Sequence, residues 1–356
     1  MAFVSRPAIA LPEYKVTTEE IISNIREVNP DLPGLERYLR NVRGTTVDYR
    51  YFVRPLEDPT ISGNAMLGER NRAARAGAIE LGVRAAREAL QDTGLKPGDI
   101  DCLVSSHTTS WALPGIDVAL VEQLGLRPDV RRIPMGTLGC VGGAHALAKA
   151  HDYLRAYQDH RVLVVVPEIQ STSYNPGDTG PDHLIFKALL GDAAGACVVT
   201  GVPIQPGIQI DSTYEYILPG STELYRGWED EIGRHFGSKH SGIKKALGKI
   251  MPNVRQYLAS NRIGIPEFAI LHHGGPMILR IVAEELGIDQ DPEQEPCERV
   301  ARHSWKSLET SNKNGAGIME ILNLTHQTPP PEGARGVVLA LGPGFAVAAC
   351  AATWHS

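Results

Sequence analysis

The chain has 356 residues, of which 42% are hydrophobic and 21% charged, with 35 basic and 41 acidic side chains giving a formal net charge of -6. That balance is too apolar for disorder, and there is no basic excess to grip a phosphate backbone, so no nucleic acid partner is expected. A chain this long exceeds one simple core, so two domains or two fused halves are expected.

The N-terminus reaches Arg6 and Pro7 before any apolar run, so it does not read as a secretion signal. Residues 69–92 are rich in Ala, Arg, Glu and Leu at helical spacing. Thr93-Gly94 closes that helix and Pro97-Gly98 turns the chain. Ile100–Ser105 then reads as a buried strand, and Ala144 to Tyr157 as a helix. Arg161–Pro167 (RVLVVVP) is a β-branched run of the parallel-sheet kind. Further strands are expected at Gly195–Thr200, Phe268–Leu271, Val337–Leu341 and Phe345–Ala352, and helices through Arg255–Ala259 and Ile318–Leu324. The loops 286–297 and 326–335 read as surface excursions. The pattern is α/β.

A faint repeat runs through it. A helix, Gly94, Pro97 and the strand Asp101–Ser105 are echoed by a helix, Gly264, Pro266 and the strand Phe268–Leu271. Strand 162–166 is echoed by strand 337–341. Two similar halves, 1–205 and 206–356, are expected, with a site between them. Gly201, Pro203, Pro206 and Gly207 interrupt the pattern at the seam. Residues 336–355 carry no Asp, Glu, Lys or Arg and are long enough to span a bilayer, but Gly342-Pro343-Gly344 breaks them, so two strands about a turn are expected and no membrane span.

The five cysteines, Cys102, Cys140, Cys197, Cys297 and Cys350, are odd in number and widely spaced. Neither a disulfide framework nor a metal site is expected, and a reducing cytoplasm is the natural location. Cys140 stands apart from the others. It sits in Leu138-Gly139-Cys140-Val141-Gly142-Gly143 at the mouth of a helix, where the dipole and free N–H groups favour thiolate and the glycines admit a carbonyl. The bland reading is a small buried hydrophobe. His272 ends a strand and precedes His273-Gly274-Gly275-Pro276, a setting that faces a crevice. Cys with His suffices for thiolate acyl chemistry. Ser304 to Gly317 crowds polar residues before an apolar helix; an Asn there can donate to an oxyanion, or serve as an ordinary cap.

These motifs occur in the order Leu138-Gly139-Cys140-x-Gly-Gly, His272-x-Gly-Gly-Pro, an Asn-containing loop and Leu341-Gly342-Pro343-Gly344. With Thr108-Thr109-Ser110, Pro114-Gly115-Ile116-Asp117, Leu124 to Pro128 and Leu190-Gly191-Asp192-Ala193-Ala194, the sequence resembles the type III polyketide synthases, the chalcone and stilbene synthase family. Arg6-Pro7-Ala8-Ile9 and Arg50–Pro55 look more like its bacterial members, such as tetrahydroxynaphthalene and germicidin synthases. The resemblance covers essentially the whole chain. It implies a thiolase-like fold, five-layered αβαβα from two pseudo-repeated halves, working as a homodimer. It implies an acyltransferase acting on acyl-CoA and malonyl-CoA, with coenzyme A thioesters as substrates and no metal or organic cofactor. Cys140 would carry the acyl group. His272 would hold it as thiolate and, with an Asn, bind the malonyl thioester carbonyl. Decarboxylative condensation and ring closure would give a pyrone or phenolic product.

The family loop reads Gly-Asn-x-x-Ser-Ala, whereas here it reads Ser311-Asn312-Lys313-Asn314-Gly315-Ala316. Asn312 is the preferred match, with Lys313 and Asn314 as alternatives. Leu190 replaces the gatekeeper Phe, and a second gatekeeper region falls near Arg234-His235-Phe236. Trp111, Leu113, Ser171, Thr172, Leu190, Gly342, Pro343 and Gly344 are expected about the pocket, with Leu113 where a residue would cross to the partner's pocket. Arg43, Arg50 and Arg54 are candidates for the coenzyme A mouth. The altered Asn loop keeps a second reading open, an atypical condensing enzyme or acyltransferase without iterative malonyl extension. A non-catalytic partner on the same fold is the third.

Overall fold

The structure, a computed structural model, describes residues 1–291 and 294–356. Two residues of the acidic loop 286–297, Pro292 and Glu293, therefore lie outside the described residues. The main sheet has ten strands. From one edge the order is Phe268–Leu271, Arg335–Gly342, Ala346–His355, Gly207–Ile217, Ala2–Val4, Ala193–Thr200, Arg161–Glu168, Cys102–His107 and Arg131–Gly136, with Ala8–Ala10 also on Ala193–Thr200. Cys102–His107 runs parallel to Arg161–Glu168, which is antiparallel to Ala193–Thr200. Phe268–Leu271 runs parallel to Arg335–Gly342, which is antiparallel to Ala346–His355. The two patterns meet where Ala2–Val4 pairs with Gly207–Ile217.

Alternation along the central strands divides the core into layers. Val162, Val164, Val166, Val338 and Ala340 pack on two inner helices, Gly142–Ala156 and Ala316–Gln327. Leu163 and Val165 face outward onto the 27-residue helix Leu67–Thr93. Val337, Leu339 and Leu341 face outward onto His240–Ser260 and Pro276–Leu286. Outer helices, sheet, inner helices, sheet, outer helices give the expected five layers. Each buried Val or Leu contributes about 1.5–3 kcal/mol, so sheets buried on both faces need the near-continuous apolar strands seen here.

Local chemistry explains the ends. Glu69 accepts from the Met66 N–H at 3.2 Å to open the long helix, and Gly94 (φ +68°) closes it. The uncharged C-terminal stretch is two strands about Gly342-Pro343-Gly344, with Gly344 at φ +67°. No described helix is long and apolar enough to cross a membrane. One expectation fails. Gly207 does not interrupt structure but begins an eleven-residue strand, because a Cβ there would run into the Val4 carbonyl oxygen. The hairpin Tyr225–Glu229 with Arg234–Ser238 was not anticipated either.

Candidate active site

Cys140 lies in a 3-10 turn, Gly139–Val141, that runs straight into the inner helix Gly142–Ala156. Gly139 has φ +57°, and a Cβ on it would stand 3.2 Å from Pro343. Its N–H donates to Thr108 Oγ1 at 3.1 Å. The Gly-Pro-Gly turn and the thiol are thereby brought together. A Cβ on Gly143 would strike the Gly315 carbonyl oxygen, so the two inner helices start in backbone contact.

That contact brings the Asn loop to the sulfur. Cys140 Sγ donates to Asn314 Oδ1 at 3.1 Å. Asn312 and Tyr225 also make side-chain hydrogen bonds with the sulfur. Asn312 is stitched to the Leu190 segment: its N–H donates to the Leu189 carbonyl at 2.8 Å, and its own carbonyl accepts from Gly191 at 3.1 Å. Its Oδ1 accepts from the Asn314 N–H at 2.8 Å, which leaves the amide NH2 free to act as a donor. Lys313 turns the other way. Its ammonium is 2.9 Å from Glu320 and donates to Thr310 Oγ1 at 2.8 Å. Of the three candidates for the oxyanion position, Asn312 and Asn314 reach the thiol and Lys313 serves a buried ion pair.

His272 follows the strand Phe268–Leu271, with its N–H on the Leu339 carbonyl at 2.8 Å. The ring stacks on His273 (centroids 5.5 Å apart), and His273 Nε2 meets Ser307 Oγ at 2.8 Å. Neither ring nitrogen of His272 has a hydrogen-bond partner among the described residues. Burial pushes His272 down to about 4. Burial pushes the Cys140 thiol up to about 12; Glu168 adds to this, while bonds from Asn312 and Tyr225 oppose it. Burial thus works against the charged form of each group.

Cys140 and Asn312 stand in a cavity of about 260 Å³ whose walls include Phe186, Leu189, Tyr225, Ile243, Leu247, Ile278 and Phe345, with Gly342 beside the thiol. Asn41, Gly44 and Thr45 lie on its wall as well. Leu190 and Ser171 meet instead in a smaller neighbouring cavity with Phe236, and Phe186 lines both. Thr172 is buried and lines neither. Pro343 acts through Gly139, and Gly344 only turns the chain.

Three expectations are corrected. Arg50 is fully buried and its guanidinium is held by the Ala188 carbonyl and by Thr18 Oγ1 at 2.9 Å, so it has no reach to a coenzyme at the surface. Trp111 is 73% exposed and lines neither cavity, whereas Leu113, placed where a residue would cross to a partner's pocket, is 84% exposed. Arg54 is exposed and lines neither cavity, whereas Arg43, which is not corrected, is at the surface, paired with Glu19 at 3.0 Å and next to Gly44 on the cavity wall.

Two residues were missed. Glu168 ends the strand Arg161–Glu168 with no exposure, accepting from Thr108 Oγ1 at 3.0 Å, Gln170 Nε2 at 3.1 Å and the Asn314 side chain. An acidic residue continuing a β-branched run was its available signal. Tyr225 had none, since it lies in the unanticipated hairpin.

A buried thiol on the wall of an apolar cavity, at the head of an inner helix of a five-layered αβαβα fold, marks a thiolase-fold protein. A family model described as the N-terminal domain of chalcone and stilbene synthases matches residues 31–203. The chain is 29% identical to 1,3,6,8-tetrahydroxynaphthalene synthase of Streptomyces griseus over 99% of this chain and 93% of that one. It is 30% identical to type III polyketide synthase 21 of Oryza sativa subsp. japonica, over 95% of this chain and 89% of that one. It superimposes on germicidin synthase from Streptomyces coelicolor with a TM-score of 0.91, at 30% identity and covering 99% of each chain. The chain belongs to the chalcone and stilbene synthase family and is a type III polyketide synthase.

Proposed function

We propose that Cys140 takes an acyl group from an acyl-CoA and that the chain extends it with malonyl-CoA or a substituted malonyl-CoA. The Cys140 sulfur attacks the thioester carbonyl and coenzyme A leaves as its thiol. Malonyl-CoA then loses carbon dioxide, and the C–C electron pair becomes an enolate. The enolate attacks the Cys140 thioester, a C–C bond forms and the sulfur is released. Asn312 donates its amide to the enolate oxygen, with His272 as the second donor. Donors fixed where charge develops are worth about 10²–10³ in rate. The sequence of steps closes without a metal or an organic cofactor. Ring closure of the extended chain gives a pyrone or phenolic product, in keeping with the names of the relatives.

The observation that carries this reading is the buried thiol on the wall of an apolar cavity with the Asn312 amide in reach. Arg43, beside the wall residue Gly44, is the remaining candidate for the coenzyme A phosphates. We place a homodimer contact at Trp111 and Leu113, whose exposed apolar side chains have no cover in one chain. The test uses radiolabelled malonyl-CoA and intact mass. Release of carbon dioxide, with an acyl adduct that disappears in Cys140→Ala, is expected. An adduct formed without carbon dioxide or extended product would overturn the extension step.

A further inference from the structure

We propose that His273 and Ser307 are positioning residues. With the buried pair Lys313–Glu320 they hold the ring on which His272 stacks, and so set the plane of the His272 imidazole for the enolate step. This rests on His272 being the second enolate donor, as proposed above.

A histidine that acts in catalysis is ordinarily oriented by a hydrogen bond from its second ring nitrogen. His272 has no such bond: both ring nitrogens are buried without a partner among the described residues. What it has is a face. The His273 ring lies nearly parallel to it, with centroids 5.5 Å apart and planes 20° apart, within the range of a favourable offset stack. Gly317 backs both rings, since a Cβ there would stand 3.6 Å from His272 Nδ1 and 3.7 Å from His273 Nε2.

The His273 ring, unlike its neighbour, is tethered. Its Nε2 meets Ser307 Oγ at 2.8 Å, and the Ser307 hydroxyl donates to Glu320 Oε2. Lys313 Nζ donates to the same oxygen at 2.9 Å. A carboxylate only accepts, and a serine has one proton to give. That proton goes to Glu320, so Ser307 accepts from His273, and the proton of the neutral ring sits on Nε2. Burial, with His272 and Lys313 adding to it, pushes His273 well below its usual range, in keeping with a neutral ring. A second route ties down the same serine. Lys313 Nζ donates to Thr310 Oγ1 at 2.8 Å, and Thr310 Oγ1 donates to the Ser307 carbonyl at 3.0 Å. Lys313, Ser307 and His273 are all buried, so each bond, once lost, leaves a buried polar group unpaired. Lys313 thus bears on the site from behind the imidazole, without reaching the thiol.

The test separates the plane of His272 from its presence. Ser307→Ala cuts the tether and leaves both imidazoles. Its kcat and kcat/KM for carbon dioxide release from malonyl-CoA should fall together about tenfold with KM unchanged, because a misaligned donor is felt only as charge develops. The second readout is NMR of protein labelled in its histidine rings, with His272 and His273 assigned by substitution to Gln. In wild type His273 should show the Nε2–H tautomer, and His272 Cε1–H a ring-current shift that Ser307→Ala removes. An Nδ1–H tautomer, an unmoved His272 resonance, or wild-type kcat in folded Ser307→Ala would overturn the proposal. So would an equal fall in iodoacetamide alkylation of Cys140, which would place the damage at the thiol. Should Ser307→Ala fail to fold by circular dichroism, Lys313→Met combined with Glu320→Leu removes the acceptor and its cation together. That double variant should show the same fall and the same lost shift, and wild-type values there sink the idea. No carbon dioxide release from wild type, with tautomer and shift as expected, would break the proposed function and support the tether.

Discussion

The two inner helices, Gly142–Ala156 and Ala316–Gln327, begin at the same place but bring different chemistry there. Each is preceded by left-handed backbone, Thr137 and Gly139 before the first, Ser311 and Asn314 before the second. The first starts at Gly142 and the second follows its cap Gly315, and the two N-termini touch: a Cβ on Gly315 would stand 2.8 Å from the Gly143 nitrogen. The first N-terminus presents a thiol and apolar Val141, whereas the second presents two amides and a lysine. One backbone device thus serves two purposes. The contact between the helix N-termini is structural, and the side chains hung on each side of it divide the proposed nucleophile from the proposed oxyanion donor.

That division can be broken from either side. Asn312→Ala should lower decarboxylation of malonyl-CoA about 10²–10³-fold while leaving acylation of Cys140. Carbon dioxide release beside intact mass reads both, and equal loss of the two would deny the separate roles. Gly143→Ala attacks the contact itself. It should cost about 3 kcal/mol in urea unfolding, since backbone has to move. Gly98→Ala, with open space around its Cβ, should stay within about 0.5 kcal/mol. Lys313→Met should destabilise by about 2 kcal/mol, less than a fully buried pair, because Glu320 keeps some exposure to water. Its Cys140 alkylation curve should match wild type, and a large shift would return Lys313 to the site.

The smallest expected effect sharpens the cavity wall that carries Tyr225. His235 joins that hairpin to Asp178 at 2.9 Å, and its Nε2 lies 3.0 Å from Asp230, near enough for charge attraction though not aligned for a hydrogen bond. Burial works against the charged ring, but Asp230 and Asp178 outweigh it and raise its pKa above 6.5. Its stabilising contribution is full below the unfolded pKa and lost as pH rises through the folded one. The melting temperature of wild type should therefore fall relative to His235→Gln across that window. Parallel curves would remove the ring from this role.

How much was legible depended on whether a signal was local. The helix 69–92 and the strand 161–167 were readable because periodicity and β-branching are written into consecutive residues. The Asn loop was only partly so: Asn312 was the preferred match with Lys313 and Asn314 left open, and the position of Glu320, one turn into the next helix, drew the lysine away. Arg50 looked like a surface cation because sequence carries no depth. Leu190 and Ser171 were expected about the pocket, yet they meet in the neighbouring cavity, and Phe186 lines both spaces.

By itself the sequence determined the α/β class, the family, and the thiol and imidazole that the proposed chemistry uses. Those depend on local pattern and on motifs kept in order. Only the tertiary structure decided the electrostatic state of the site. Burial pushes the Cys140 thiol and the Glu168 carboxyl up and the His272 ring down, and burial is set by residues far apart in the chain. The length that first called for two halves is accounted for by two strand patterns joined at Ala2–Val4 and Gly207–Ile217. The odd cysteine count, first useful against disulfides, led to the one thiol that lines the cavity.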